Sequence, residues 1–167
     1  LCNVNYLTTS EKNQLLSVFN IPYNYSNSFK TIVQQFEEQA LLTPEATAIF
    51  SKEVSLTYKE LNERSNQLAH YLKDKYQLVS GDLVGISLNR SAELIIGILG
   101  ILKSGVAYVP IDINYPKERI TYIKEDSNSK VVVDEEVITF FESVKNSYSL
   151  ENLASISQPD SPAYIIY

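Results

Sequence analysis

The sequence has 167 residues, enough for one domain that buries about 68–70% of its unfolded surface, with 44% hydrophobic and 20% charged residues as in ordinary globular chains. A formal charge of −6, with 14 Lys and Arg scattered along the chain, provides no basic patch and argues against a nucleic-acid partner. One cysteine, Cys2, rules out an intrachain disulfide, and one histidine, His70, leaves a zinc site without its usual ligands.

Taken in chain order, Thr8 and Glu11 have capping-box spacing ahead of Leu15, Leu16 and Phe19, which predicts a short amphipathic helix in a lead-in linker over residues 1–27. Asn20 to Ser28, with Pro22 and alternating Asn and Tyr, reads as a loop. A second helix is expected from Ser28 to Leu42, with Phe29, Ile32, Val33, Phe36 and Ala40 on one stripe and its end before Pro44. The period then changes. Ala46–Phe50 and Val54–Thr57 read as two strands of a hairpin turning at Ser51-Lys52-Glu53.

Thr57 and Glu60 repeat the capping-box spacing and open a helix that buries Leu61, Leu68, Leu72 and Tyr76 and leaves Lys59, Glu63 and Lys73 in water. Leu83–Leu88 is a compact apolar strand. Ser91 then caps a helix, Ala92–Lys103, that is apolar on nearly every side and so must be packed on both flanks. Gly105 falls where a left-handed helix stop is wanted, and Val106–Ile111 returns as a strand. Pro116 suits the first turn of a helix carrying Ile120 and Ile123, followed by a strand at Lys130–Val133. Glu135–Val144 is expected to be helical, Ser147–Gln158 a polar connection, and Ala163–Tyr167 a last apolar strand. Strands alternating with helices of this length imply an α/β fold with a mostly parallel sheet and helices on both faces.

The longest apolar stretch, Leu94–Leu102, is too short to span a bilayer and is interrupted by Gly97 and Gly100. No signal peptide is evident, and a reducing, cytoplasmic compartment is expected. The absence of methionine means that Leu1 is not a translation start, and the apolar stop at Tyr167 has no polar tail. Both ends are expected to be cuts in a longer chain.

Ligands of parallel sheets sit beyond the carboxyl ends of the strands, so the residues after each strand deserve inspection. Asn89-Arg90-Ser91 lacks the glycines of a dinucleotide turn, and no glycine loop with its lysine occurs anywhere. Gly97 and Gly100 lie inside a helix and are expected to admit a close neighbour. Asp112 could be a phosphoacceptor, but the acidic pair and the lysine of that chemistry are missing; bonds to backbone amides in the turn before Pro116 are the better reading. His70 is expected at a surface or boundary, and Ser65, Ser91 and Ser104, with no base near them in sequence, are expected to cap or pack. Arg90 and Arg119 begin helices, where a cation opposes the dipole. A structural ion pair, with Asp82, Asp112 or Glu118 as partner, is expected for them ahead of a ligand contact.

Two segments carry a resemblance. Leu56-Thr57-Tyr58-Lys59-Glu60-Leu61 and Leu102-Lys103-Ser104-Gly105-Val106-Ala107-Tyr108-Val109-Pro110-Ile111-Asp112 look like the first two core motifs of nonribosomal peptide synthetase adenylation domains, in the adenylate-forming superfamily. Asn89-Arg90-Ser91 lies between them and Tyr115-Pro116-Lys117-Glu118-Arg119-Ile120 follows, in the family's order. The likeness runs from about Phe29 to Tyr167, and the segment from Leu7-Thr8 to Phe19-Asn20 is similar to the linker that joins a condensation domain to an adenylation domain. Ser104 and Val106 depart from the family's Ala and Gly, and Ile113-Asn114 from its Asp-Pro.

The resemblance implies that residues 28–167 form the N-terminal part of an adenylation domain, cut before its phosphate-binding loop. Such a domain uses ATP and Mg²⁺ to turn an amino acid into its aminoacyl adenylate, then passes the acyl group to the phosphopantetheine thiol of a carrier domain. In the family the substrate pocket, nucleotide contacts and catalytic lysine lie further along, so no catalytic, cofactor-binding or metal residue is nominated here, and the isolated chain is expected to be inactive. Expected partners are an upstream condensation domain, a downstream carrier domain and an MbtH-like protein against the segment Ala107–Ile123. Two alternatives stay open: an acyl-CoA or aryl-acid ligase, and a non-catalytic α/β docking module.

Overall fold

Threonines start the first three helices of the computed structural model, which describes residues 7–18, 30–51, 54–154 and 157–167, without the side chains of residues 17 and 18. At each, the hydroxyl accepts from the amide three residues on, and that residue's side chain accepts from the threonine amide, so two orphan helix donors are satisfied together. Helix α1 (Thr9–Asn13) follows Thr8 and passes into a π-helical turn at Gln14–Val18. The helix expected there forms, but Leu15 and Leu16 stay exposed. The loop expected over Asn20–Ser28 lies outside the described residues. Helix α2 (Ile32–Leu42) starts after Thr31, later than expected, because Thr31 and Gln34 form a capping box that the apolar stripe concealed. Its stripe buries Val33 and Ala40 and leaves Ile32 exposed.

Strands β1 (Thr47–Phe50) and β2 (Ser55–Thr57) form the expected antiparallel hairpin, closed by the Ser51 amide donating to the Val54 carbonyl at 2.8 Å. Thr57 ends β2 and caps α3 (Tyr58–Tyr76), so hairpin and helix share one residue. Leu61, Leu68 and Leu72 are buried on α3 as expected.

Then come β3 (Leu83–Ile86), α4 (Ala92–Lys103), β4 (Ala107–Pro110), α5 (Lys117–Ser127), β5 (Val132–Val133) and α6 (Glu135–Val144), with a 3₁₀ turn at Lys145–Ser147. Pro116 is the residue before α5 and not within its first turn. Gly105 has φ of +89°, the left-handed stop its position called for.

The strands run β4-β3-β5, all parallel. The strand expected at Ala163–Tyr167 is reduced to one parallel bridge on the outer edge of β4: the Tyr108 amide donates to the Ala163 carbonyl at 3.1 Å, and the Ile165 amide to the Tyr108 carbonyl at 3.0 Å. Side chains alternate across this sheet. Val84, Ile86 and Val133 face a large core shared with Leu68, Leu72, Ile96, Leu99, Ile138 and Phe141 of α3, α4 and α6. Val109 and Ile111 face a smaller core with Ile123 of α5. Helices therefore cover both faces, as the α/β reading required.

Gly100 shows why α4 must be glycine-bearing where it meets α3. A Cβ there would lie 2.8 Å from Leu68 Cδ2 and 2.9 Å from its Cγ. Among the described residues no helix is long and apolar enough to cross a membrane.

Candidate functional site

The carboxyl ends of β3 and β4 and the bridge segment at Tyr164 open onto one cleft of about 970 Å³. Its floor comes from Ile86 and Ile111, its walls from Tyr108, Tyr115 and Tyr164, and its polar groups from Asn89, Arg90, Asp112 and Asn114. This is where a parallel sheet is expected to hold a ligand. Among the described residues its lining contains no Ser, Cys, His or Lys; it offers a cation and aromatic faces for binding.

Each side chain singled out in the sequence has a definite place. Asp112 Oδ1 accepts from the Asn114 amide at 2.8 Å and from Asn114 Nδ2 at 3.0 Å, the turn-forming role expected of it. Ser91 accepts from the Leu94 amide at 3.4 Å as the cap of α4. Ser65 and Ser104 are buried and donate to the carbonyls of Asn62 and Ile101, so all three serines cap or pack. His70 Nε2 lies 3.1 Å from the Glu151 carbonyl at the rim of α3.

The arginines require a correction. Among the described residues neither Arg90 nor Arg119 has a carboxylate within ion-pair distance, and two of the three nominated acids are engaged elsewhere. Asp82 accepts from the Val79 amide at 2.9 Å and faces Lys130 at 3.7 Å, and Asp112 serves its own turn. Arg119 instead stacks over the Tyr115 ring at 4.3 Å and donates to the Tyr167 carbonyl at 3.4 Å. Arg90 is an exposed guanidinium on the cleft wall.

Tyr167 lines the cleft, and its ring lies edge-on to Tyr122 at 6.2 Å. Its hydroxyl donates to Asp126 Oδ2 at 2.6 Å, and this bond to a carboxylate pushes the phenol up to about 12. Tyr108 is also raised, by burial first and by the neighbouring Tyr164.

The sequence reading missed Lys103. A lysine at a helix end reads as a surface cation, yet this residue is 5% exposed. Its ammonium donates to Glu37 Oε1 at 2.9 Å, Asn62 Oδ1 at 2.7 Å and Asn66 Oδ1 at 2.6 Å. Burial lowers its pKa and the Glu37 carboxylate partly opposes that. Asn62 and Asn66, four apart on a buried stretch of α3, were the available signal.

A profile of AMP-binding enzymes matches residues 36–167. The chain belongs to the AMP-binding enzyme family. Within that family it is 44% identical, over its whole length, to bacitracin synthase 3 of Bacillus licheniformis, of which it covers 3%. Tyrocidine synthase 3 of Brevibacillus parabrevis is 41% identical, again over the whole chain and 3% of the relative. The AMPPNP-bound crystal structure of the nonribosomal peptide synthetase FmoA3 superimposes with a TM-score of 0.77 at 26% identity, over 90% of this chain and 18% of that one. The chain thus spans a small share of the relatives it matches, and its α/β fold corresponds to the N-terminal part of synthetase adenylation domains. Of the two motifs, the first starts α3 at Thr57 and Glu60, and the second, Leu102–Asp112, runs from the buried Lys103 through β4 to the cleft.

Proposed function

We propose that this chain is part of an amino-acid-activating adenylation domain of nonribosomal peptide synthesis. The observation that carries the reading is the reach of the match. Residues 1–35 lie ahead of the family profile, yet they align with the peptide synthases together with the rest. That stretch holds the lead-in helix that resembles a condensation-to-adenylation linker, so we assign 1–27 to a linker and 28–167 to the domain. The chemistry is in-line attack of a carboxylate on the α-phosphorus of ATP, with release of pyrophosphate, followed by transfer of the acyl group to a carrier's phosphopantetheine thiol. The protein's part is mainly positioning and neutralising developing charge.

ATP, Mg²⁺ and phosphopantetheine belong to the proposed parent enzyme. Among the described residues no three His, Cys, Asp or Glu come together as a metal site, so no residue here is assigned to the ion. An upstream condensation domain, a downstream carrier domain and an MbtH-like protein on Ala107–Ile123 are the proposed partners, and the cytoplasm the proposed compartment. Unchanged elution of the parent on mixing with such a protein would remove that last partner.

The test is amino-acid-dependent pyrophosphate exchange by the longer polypeptide that carries this chain. One or a few amino acids should stimulate exchange, while residues 1–167 alone should give none. Exchange supported only by aryl or fatty acids would replace this reading with that of an acyl-CoA or aryl-acid ligase, and no exchange with any acid would favour the docking module.

A further inference from the structure

Helix α2 is held by little apolar surface. Val33 and Ala40 are buried on it and Phe36 packs partly buried against the core, while Ile32, Leu41 and Leu42 are exposed, so apolar burial alone gives it a shallow seat. Its buried ionic anchor is Glu37, which meets the Lys103 ammonium at 2.9 Å where the two side chains are 16% and 1% exposed. Phe36, one residue earlier, has its ring centroid 5.5 Å from the same ammonium. Among the described residues Glu37 is the carboxylate that balances this buried charge; the other oxygens on it, from Asn62, Asn66 and Asn152, are neutral amides.

Val33, four residues before Glu37, lies on the same side of α2 as that anchor. Thr31, Ile32 and Val33, with Leu102 next to Lys103, border residues 157–163 across a cavity of about 120 Å³. Those residues lead directly into the Ala163–Ile165 bridge on β4, and Tyr164, Ile166 and Tyr167 line the cleft. A second link runs through Asn152, which accepts from Asn62 at 2.9 Å and from Asn66 at 2.8 Å, in the connection that precedes this wall. Asn62, Asn66 and Asn152 thus link the buried cation to the connection ahead of residues 157–163, and those residues lie beside the first turn of α2 around one cavity.

We propose that Glu37 and Lys103 are positioning residues for the outer wall of the cleft: their ion pair seats α2, and α2 braces residues 157–163, which set the bridge at Tyr164. Neither side chain reaches the cleft. The inference concerns the geometry of this chain and holds whichever acid the parent enzyme activates.

Amide hydrogen exchange on the full chain tests it. In E37Q the ammonium keeps neutral partners only, and exchange should rise by about tenfold or more in α2 and at Tyr108 and Ile165, the amides of the bridge. Gly85, Ser87 and Lys130, whose amides bond between β3 and β5, should rise by clearly less, by no more than the loss of global stability carries. The double variant E37Q/K103M also lacks the pair, so its bridge amides should stay faster than wild type. Faster exchange in α2 with an unchanged bridge, an equal rise at every amide, no rise at all, or wild-type bridge rates in the double variant would each overturn the proposal. If E37Q does not fold, E37D keeps the charge on a shorter arm and is read by the same pattern.

Discussion

The two ends of β4 handle polar groups in opposite ways. Before the strand, Lys103 is enclosed and its donors are matched by Glu37, Asn62 and Asn66. After it, Asp112 and Asn114, bonded to each other, stand exposed at an open cleft beside Asn89 and Arg90, which follow β3. An unpaired polar group costs most where water is excluded, so the amino end matches every donor internally and serves structure, while the carboxyl end keeps hydrogen-bonding capacity for a ligand. One motif, Leu102 to Asp112, contains both ends.

The largest test of this contrast lies at the buried end. Glu37→Gln removes one partner of a buried ion pair and should cost about 3–5 kcal/mol, read as a lower urea midpoint. Next come the two glycines of α4. In Gly100→Ala the added carbon meets Leu68 at Cγ and Cβ, near its backbone, and overpacking of about 1–3 kcal/mol should exceed the helix-propensity gain of about 1 kcal/mol. Gly97→Ala meets the free end of Ile86 at 2.7 Å, which can rotate away, so its midpoint should stay near wild type.

Alkaline titration should separate the ends by sign. Lys103 has a folded pKa depressed by burial below its ordinary 10.5, so the unfolded chain holds more protons just below that value and stability should rise with pH there. Tyr167 has a folded pKa raised from 10.0 to about 12, so the folded chain holds more protons in that window and its contribution should be lost as pH climbs through it. Denaturation midpoints of Lys103→Met and Tyr167→Phe against wild type, from pH 9 to 12 in roughly unit steps, isolate the two slopes. The smallest effect belongs to the open end: Arg90→Ala should change stability by less than about 0.5 kcal/mol, since an exposed guanidinium without an ion pair leaves nothing buried behind. A loss comparable to that of Glu37→Gln would erase the distinction between the ends.

Local signals were the legible ones. Thr57 with Glu60 and Ser91 before Ala92 announce helices because the bonds they make lie within three residues. The apolar run of α4 announced burial on both flanks because no polar face competed. What escaped depends on partners far away in the chain: Lys103 with Glu37, 66 residues apart, and Asn66 with Asn152, 86 apart. Arg90 and Arg119 were misread for the same reason, since the spacing of acids near an arginine does not reveal which amide or lysine has already claimed them. The last strand shrank to a bridge because Tyr164 finds a hydrogen-bonded partner on one side, β4, and pairs there at a single register position.

The proposed chemistry is tested most directly by the mass of the carrier domain in the longer polypeptide after incubation with ATP and single amino acids. We predict a thioester gain equal to one amino acid less water, dependent on ATP and selective for one or a few side chains. Loading by an aryl or fatty acid alone, or release of a free coenzyme A thioester with the carrier unmodified, would contradict the account.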